Sequence, residues 1–469
     1  MTAARQVLTP QDTIERVLEL STADGCVVVS EERSEANVRW ANNTLTTNGE
    51  MRSRKLAVIS VVDGATGTAS GVVERSAVTA EDLEPLVRAA EQAARDAGPA
   101  DDASPLVQPS GDSPGWEAPP AVTSTETLAG FAASLGQAMD AARAQQRLLF
   151  GFAEHVMTST YVGSSTGVRL RNDQPTGKVE INGKSADLKR SAWVGASTRD
   201  FGDIDVAALD TDLQQRLAWA ERSVELPAGR YDTLLAPTAI ADVLIYLYIS
   251  ATARAADEGR TVFSRQGGGN RIGDRLCELP LSLRSDPAAA GLQTSPFFAV
   301  TSSNELWSVF DVGMPVGATD WIRDGVLTSL VGSRAWAQRS GNEAVKPMID
   351  NLILDAGSDS SRSLADMAAG VERGLMLTCL WYIREVDPQN LLLTGLTRDG
   401  VYLIEDGEVT GAVNNFRFNE SPVDLLGRIS DVGASSITLP REWNDFFTRT
   451  SMPPVRVPDF NMSTVSQAS

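Results

Sequence analysis

Apolar and polar residues follow strand-like patterns over much of the chain. Residues 36–45 alternate between the two classes, and residues 148–194 consist of short strand-like stretches broken by glycine and Pro-Thr-Gly. This period of two is typical of half-buried strands. Asp63-Gly64 and Asp406-Gly407 separate such stretches and supply the positive φ of tight hairpin turns. We therefore expect antiparallel hairpins to dominate the fold.

Helical patterns occur in blocks apart from the strands. The first begins at Thr9-Pro10, where a capping threonine precedes a proline suited to the first turn. Further helices are predicted near residues 79–97, 125–144, 206–224, 239–256 and 422–430. Hairpins with separate helices favour an α+β fold, with N-terminal α/β units built on antiparallel strands and a β-rich C-terminal domain.

Composition predicts where the units end. Residues 98–120 are rich in proline, glycine, serine and aspartate, which is typical of a linker. A second boundary is expected near residue 226, where Leu-Pro-Ala-Gly begins. The predicted segments are an N-terminal α/β domain (1–97), a linker (98–122), a central α/β segment (123–226) and a β-rich C-terminal domain (227–469) that ends in a polar tail (461–469).

Residues 372–426 combine strand patterns with a polar cluster. An apolar run at 375–383 predicts one buried strand, and three further strands predict an antiparallel meander ending near residue 418. The candidate groove residues within it are Arg384, Asn414, Asn415 and Arg417. Amides and guanidinium groups bind a peptide backbone whatever its side chains, so one interpretation is a wall that grips an extended peptide. The alternative is a solvated face with charges at strand ends.

The charge balance limits the partners. The formal net charge of −20 argues against nucleic acid or an anionic membrane, because both need a basic surface. The N-terminus lacks the apolar region of a signal peptide, and no apolar run reaches membrane length. Three cysteines in apolar surroundings are expected to be buried thiols in a reducing compartment, and we expect a cytoplasmic location.

One histidine, His155, is present in the whole chain. Zinc hydrolases usually use at least one imidazole ligand and often two. A chain with a single histidine cannot offer two. A Ser-His-Asp or Cys-His site would have to use His155, but a strand places neighbouring Glu154 on the opposite face. Gly163, Ser165 and Gly167 form a G-x-S-x-G pattern between two strand-like stretches, which predicts a hairpin loop rather than a nucleophile elbow.

Two other candidate sites have simpler interpretations. Glu385 and Asp387 would share a face of a strand and could serve acid–base chemistry, but Pro388 favours a strand end with a turn. The helix at 239–256 is apolar nearly all round, which predicts a buried structural helix.

Five segments in the same order resemble the TldD/PmbA family. They are VRWANNTLTTNG (38–49), STYVGSSTGVRLR (159–171), ERGLMLTCLWYIREVDP (372–388), GVYLIEDGEV (400–409) and VNNFRFNESP (413–422). The resemblance extends from about Thr9 to Phe460. It implies an N-terminal α/β domain, a β-rich C-terminal domain, and a heterodimer of TldD and TldE (PmbA) subunits around a cavity that cleaves unstructured peptides.

In that family the TldD subunit binds its metal through H-E-x-x-x-H on a helix and a cysteine near the C-terminus. The matching helix here is the apolar one, and Ile245, Tyr246 and Ser250 stand where His, Glu and His would be. Residues 443–457 contain no cysteine. The resemblance therefore implies a TldE-type subunit with no catalytic residue, metal or cofactor of its own, and zinc in a TldD-like partner that carries H-E-x-x-x-H. The expected substrate is an unfolded peptide.

Three alternatives stay open at this point. The chain could be a stand-alone hydrolase that uses His155, or carboxylates with a hard metal. It could be a homo-oligomeric peptide-binding protein without catalysis. It could also belong to a TldD/TldE pair that tailors a peptide or amide natural product.

Overall fold

The computed structural model describes residues 7–111, 114–357 and 361–466. Residues 1–6 of the N-terminus, 112–113 of the predicted linker and 467–469 of the predicted polar tail lie outside these ranges. The helices are α1 (Pro10–Leu20), α2 (Leu83–Ala97), α3 (Ala129–Ala144), α4 (Val206–Trp219), α5 (Pro237–Ser250), α6 (Ala253–Asp257), α7 (Arg334–Ser340), α8 (Leu364–Ala368) and α9 (Pro422–Arg428).

The strands fall into an N-terminal group and a C-terminal group. The first group is β1 (Gly25–Ala41), β2 (Thr44–Gly64), β3 (Gly67–Ser76), β4 (Arg147–Ser164), β5 (Arg169–Ser185) and β6 (Ser191–Thr198). The second group is β7 (Ser223–Val224), β8 (Gly229–Leu235), β9 (Ser282–Ser285), β10 (Thr319–Arg323), β11 (Val326–Leu327), β12 (Leu330–Val331), β13 (Val345–Lys346), β14 (Leu352–Asp355), β15 (Arg373–Leu377), β16 (Trp381–Asp387), β17 (Leu392–Leu396), β18 (Val401–Glu405), β19 (Glu408–Val413), β20 (Phe416–Glu420), β21 (Asp431–Val432), β22 (Ser436–Thr438), β23 (Thr450–Met452) and β24 (Val455–Val465).

The N-terminal strands form one antiparallel sheet in the order β3-β2-β1-β4-β5-β6. Helices α1 to α4 pack on one of its faces. Gly71 of β3 permits this packing, because an added Cβ would lie 2.1 Å from the backbone nitrogen of Ala94 in α2. The opposite face packs in part against the C-terminal region, where Val29 and Ile59 meet Phe310.

The predicted linker crosses this sheet without joining it. Leu106 and Val107 pack against the cluster around Ile59, and the Trp116 ring lies 5.7 Å from that of Tyr161. Because β1 on one side of the linker pairs with β4 on the other, the N-terminal and central segments share one sheet. The domain boundaries themselves stay a prediction.

The C-terminal strands surround α5. A ten-stranded sheet has the main order β16-β17-β20-β24-β8-β15-β18-β19-β7, and a six-stranded sheet has the order β11-β10-β9-β14-β23-β22. Only Asn414 and Asn415 separate β19 from β20, a link that spans at most roughly 11 Å. A flat sheet would place these strands roughly 24 Å apart, so the sheet must curl. The curled sheet and α5 share the largest core.

The predicted α+β class is confirmed, with antiparallel strands at the N-terminus and a β-rich C-terminal region. The predicted meander is wrong. The apolar run at 375–383 is divided between β15 and β16, and β17 pairs with β20 rather than with β18. Only the hairpins β16-β17 and β18-β19 are local pairs of the predicted kind.

Two boundaries also differ from prediction. The helix expected at 239–256 is broken after Ser250, and α6 begins at Ala253. Residues 461–465 of the expected polar tail are instead the end of β24, where Met462 is fully buried together with the preceding Phe460. Buried and solvent-facing residues alternate along this segment, as in a strand, and a prediction from composition alone overlooks that pattern. Within the described ranges, every helix is too short or too polar to cross a lipid bilayer.

Candidate functional site

The α5 positions predicted to match the family's metal ligands hold no ligand set. Ile245 is fully buried in the core between the two C-terminal sheets. The Tyr246 hydroxyl donates to the carbonyl oxygen of Ile383 at 2.7 Å, and its ring lies 4.8 Å from that of Trp443. Ser250 is the last residue of the helix and carries only a hydroxyl. An alkyl group, an engaged phenol and a hydroxyl do not fit a zinc ion, which prefers imidazole, thiolate and carboxylate.

The rest of the described chain also lacks a cluster of metal ligands. Across residues 7–111, 114–357 and 361–466, His, Cys, Asp and Glu do not come together in any group of three or more with the geometry of a metal site. The three cysteines are buried thiols without disulfides, as the sequence predicts.

Asp242, one turn before Tyr246, ties α5 to the segment that follows β22. Its side chain is fully buried, and its carboxylate oxygens accept the backbone N–H groups of Glu442 at 2.9 Å and Arg441 at 3.3 Å. Burial raises the pKa of Asp242 well above its ordinary value, and the charge of Glu442 acts in the same direction. Sequence reasoning missed this residue, although a single acidic residue inside an apolar helix is an available signal.

Arg441 joins the N-terminal sheet to the C-terminal region. Its guanidinium carbon lies 4.3 Å from the Trp381 ring centroid and 5.4 Å from that of Trp193 in β6. Its N–H groups donate to Asp399 at 3.2 Å and to Cys379 Sγ at 3.0 Å. We call these five residues the Arg441 cluster. It fixes the segment that carries Glu442 and Trp443 beside α5.

Arg384 lies on β16, an edge strand of the curled sheet. Its guanidinium forms an ion pair with Glu442 at 2.8 Å, and that hydrogen bond raises the pKa of Arg384. Tyr382, whose N–H also donates to Glu442, has a φ of 52° at a bulge in β16. A bulge redirects side chains, and both Tyr382 and Val386 are more than half exposed.

The structure brings two of the four predicted groove residues to one face. Thr394 of β17 is paired with Arg384 in β16, and its hydroxyl lies 3.4 Å from an N–H of Arg417 in β20. Asn414 instead binds the backbone within the protein: its side-chain oxygen accepts the N–H of Leu226 at 2.7 Å. The carbonyl oxygen of Asn415 accepts the N–H of Ser466 at 2.8 Å. Their assignment to a peptide groove stays a prediction.

His155 is held on both sides. Its Nδ1 lies 2.7 Å from Thr123 Oγ1, and its Nε2 lies 2.7 Å from the carbonyl oxygen of Arg199. A carbonyl oxygen only accepts, so Nε2 carries a proton. Glu154 points away and lies 3.5 Å from Lys178. A buried imidazole with both nitrogens engaged is a structural group.

The remaining candidate motifs are turns. Ser165 lies in the hairpin between β4 and β5, and its hydroxyl accepts the N–H of Cys26 at 3.0 Å. Asp387 accepts from the Asn390 side chain at 2.6 Å and from the backbone N–H of Gln389 at 3.0 Å. These hydrogen bonds lower the pKa of Asp387 and mark the turn expected before residue 388.

Comparisons with known proteins agree with this geometry. The chain matches the model for the PmbA/TldA metallopeptidase C-terminal domain over residues 228–464 and the model for domain 1 over residues 26–95. No curated protein matches the chain.

Solved structures share the fold along nearly the whole length. TldE from Thermococcus kodakarensis has a TM-score of 0.77 at 16% identity, covering 96% of this chain and 99% of its own. A protein from Thermotoga maritima, described as a candidate modulator of DNA gyrase, has a TM-score of 0.75 at 16% identity, covering 97% and 100%. A similarly described protein from Bacteroides thetaiotaomicron has a TM-score of 0.72 at 14% identity, covering 97% and 98%.

The first family match spans 237 of the 469 residues, from 228 to 464, which is half of the chain. The TldE-like fold covers both the antiparallel N-terminal sheet and the curled C-terminal sheet. This chain belongs to the PmbA/TldD family, with a TldE-like structure.

Proposed function

We propose that this chain is the TldE-type, non-catalytic subunit of a TldD-type metallopeptidase complex that cleaves unfolded peptides. The observation that carries the proposal is the environment of three side chains on α5. Ile245 is core, Tyr246 is bonded to Ile383, and Ser250 ends the helix, so the positions that match the ligands serve packing. The zinc ion and the H-E-x-x-x-H motif would then come from a TldD-like partner.

The contribution of this chain is to complete a chamber and to hold substrate. Strand β16 lies at the edge of the curled sheet, and an extended peptide can add to such an edge as a further strand, outside the bulge where Glu442 and Tyr246 already bind the backbone of Tyr382 and Ile383. Arg384 and Arg417 lie near this edge and suit backbone carbonyl groups. A folded domain has its strands already paired, so this mode of binding selects unfolded chains.

A stand-alone hydrolase is the less supported alternative. His155 is buried, and both of its ring nitrogens have partners inside the protein. A base in that position cannot reach a substrate atom. Whether the complex degrades peptides or matures a peptide natural product depends on the substrate that the partner accepts.

Complex formation tests the proposal. The full chain is co-expressed with a TldD-type protein that carries H-E-x-x-x-H, preferably one encoded beside it, and the purified product is weighed by light scattering. We expect a complex that contains both chains. A self-assembly that ignores the TldD-type protein would instead support a homo-oligomeric binding protein.

A further inference from the structure

An open aromatic strip lies on the N-terminal sheet, on the face opposite helices α1 to α4. Leu148, Phe150 and Phe152 of β4 form it, and all three side chains are half-buried. Within the part of the chain that the structure describes, the hydrophobic core clusters leave these three residues out. We call this feature the β4 strip.

Cationic side chains flank the rings of the β4 strip. The guanidinium carbon of Arg39 in β1 lies 5.1 Å from the Phe152 ring centroid. On the other side, the Nζ atom of Lys184 in β5 lies 5.9 Å from the Phe150 centroid. For the ranges 7–111, 114–357 and 361–466, the side chains of Arg39 and Lys184 are found in neither an ion pair nor a hydrogen bond.

The acidic residues on this face already have partners. Glu35 pairs with Arg33 at 3.3 Å. Glu154 and Asp445 share Lys178. These acidic groups are held by Arg33 and Lys178, so within the described residues Arg39 and Lys184 have no carboxylate partner of their own.

Glu180, between the two cations, accepts the indole N–H of Trp193 at 3.1 Å. Burial raises the pKa of Glu180 above its ordinary value. Its carboxylate is thus bound by the indole of Trp193 rather than by Arg39 or Lys184. In a chain with a net charge of −20, a surface with unpaired cations beside half-buried aromatic rings is a local exception.

The two free cations have a defined separation. Phe152 is paired with both Arg39 and Glu180, and Lys184 lies four residues beyond Glu180 in β5. Two strand spacings across the sheet and four residues along it give roughly 16 Å between the two Cα atoms. An extended peptide advances roughly 3.4 Å per residue, so about five residues cover this distance.

We propose that the β4 strip binds an extended peptide segment that carries two acidic side chains about five residues apart, with an apolar or aromatic residue between them. The carboxylates would pair with Arg39 and Lys184, and the apolar side chain would lie on Phe150 and Phe152. The inference rests on the proposed function, because it names the class of unfolded substrate that this subunit prefers.

The test measures binding to the full chain without partner or metal. The probe is a fluorescein-labelled peptide of about 12 residues with two glutamates five positions apart and a phenylalanine between them; the matched probe has lysine at both glutamate positions. Fluorescence anisotropy compares the wild type with the double variant Arg39→Glu/Lys184→Glu. The control is Arg52→Glu, which reverses an exposed cation on the helix side of β2, opposite Ser34 in the register.

We expect the double variant to bind the acidic peptide about tenfold more weakly than the wild type and to prefer the lysine peptide. At positions 39 and 184 the attraction between a cation and a carboxylate becomes repulsion between two carboxylates. Arg52→Glu should leave both affinities within about twofold. Salt at about 0.5 M should reduce the preference for the acidic peptide, since exposed charges are then screened.

Three results would overturn the inference: equal affinity of the wild type for both peptides, no binding of the acidic peptide at about 1 mM, or an equal loss in the control. If the double variant instead abolishes the complex with a TldD-type protein and leaves peptide affinity unchanged, the strip is a partner interface. Because the peptide assay needs no partner, its failure is separate from a failure to form the complex.

Discussion

Arg441 lies between tryptophans that belong to different parts of the chain, Trp193 in the N-terminal sheet and Trp381 in β16. The side chain is about 5% exposed, so its charge depends on partners inside the protein. Asp399 supplies the countercharge and also accepts the Ser191 hydroxyl of β6. A planar guanidinium can stack and donate at the same time, which a lysine cannot do.

Truncating this residue should destabilise the protein strongly. Arg441→Ala is expected to lower the free energy of unfolding by about 2–4 kcal/mol, because Asp399, whose side chain is only 12% exposed, loses one of its two cations and both tryptophans lose their stacking partner. Arg417→Ala, on the solvent-facing side of β20, should change it by less than about 0.5 kcal/mol. Urea unfolding followed by circular dichroism measures both, and equal values for the two variants would contradict the role of the Arg441 cluster.

The raised pKa of Asp242 predicts how the free energy of unfolding changes with pH. Its pKa in the folded chain lies above the value of about 3.9 for an unfolded aspartate. Between the two values the folded chain keeps a proton that the unfolded chain has released, so stability from this group falls as pH rises. Asp242→Asn removes the titration. The unfolding free energy of the wild type minus that of the variant should therefore decrease from about pH 4 upward; a constant or increasing difference would contradict the assignment.

The roles of some of these residues could be predicted from the sequence, and those of others could not. Ile245 and Tyr246 could be excluded as zinc ligands from their side-chain chemistry alone. Asp242 and Arg441 could not be connected, because they are 199 residues apart and meet only after both C-terminal sheets have formed. The hydrogen bond of His155 to the carbonyl oxygen of Arg199, 44 residues away, could likewise be identified only from the structure.

At the scale of the element, α5 is a core helix. Its buried side chains contact both C-terminal sheets. A polar group introduced into this core would contact neither solvent nor an existing hydrogen-bond partner. In our proposal, the packing of this helix, rather than the loss of any one ligand, distinguishes the chain from a zinc-binding subunit.

Substitution at Ile245 tests this packing. Ile245→His is expected to cost about 2–4 kcal/mol of unfolding free energy, since it buries an imidazole without a hydrogen-bond partner. Ile245→Leu preserves volume and should cost less than about 1.5 kcal/mol. Urea unfolding with and without added zinc measures both. Full stability of the histidine variant, or stabilisation by zinc, would show that the site accepts a ligand.

The edge strand β16 gives a functional prediction. Val386 is 55% exposed on this strand, and Val465 at the end of β24 is 50% exposed. A lysine on an edge strand disfavours the addition of a further strand. Val386→Lys should raise the KM of the complex for an unfolded peptide several-fold with stability unchanged, whereas Val465→Lys should not. Identical kinetics for both variants would remove β16 as the substrate edge.

Strand pairing shows why the elements were only partly predictable. The β18-β19 hairpin follows from Asp406-Gly407, a local signal. The pairing of β17 with β20, and of β8 with β15 and β24, joins residues from distant parts of the sequence. No turn residue encodes such contacts, so the predicted meander assumed the nearest neighbours and was wrong.

At the scale of the whole molecule, the chain combines an antiparallel N-terminal sheet, a curled C-terminal sheet and a filled α5 core. The family and the TldE-like fold are shown by comparison, and a metallopeptidase chamber completed by a TldD-type partner is our proposal. In this account, catalytic chemistry belongs to the partner, and recognition of extended peptide belongs to both chains.

Peptide cleavage by the separate and combined subunits tests that account most directly. An unstructured peptide is incubated with this chain alone, with the zinc-loaded TldD-type partner alone, and with the two together, and initial rates are compared. We predict no turnover by this chain alone and a rate for the pair that exceeds the sum of the separate rates. Turnover by this chain alone, supported by a zinc ion that its own side chains hold, would contradict the account.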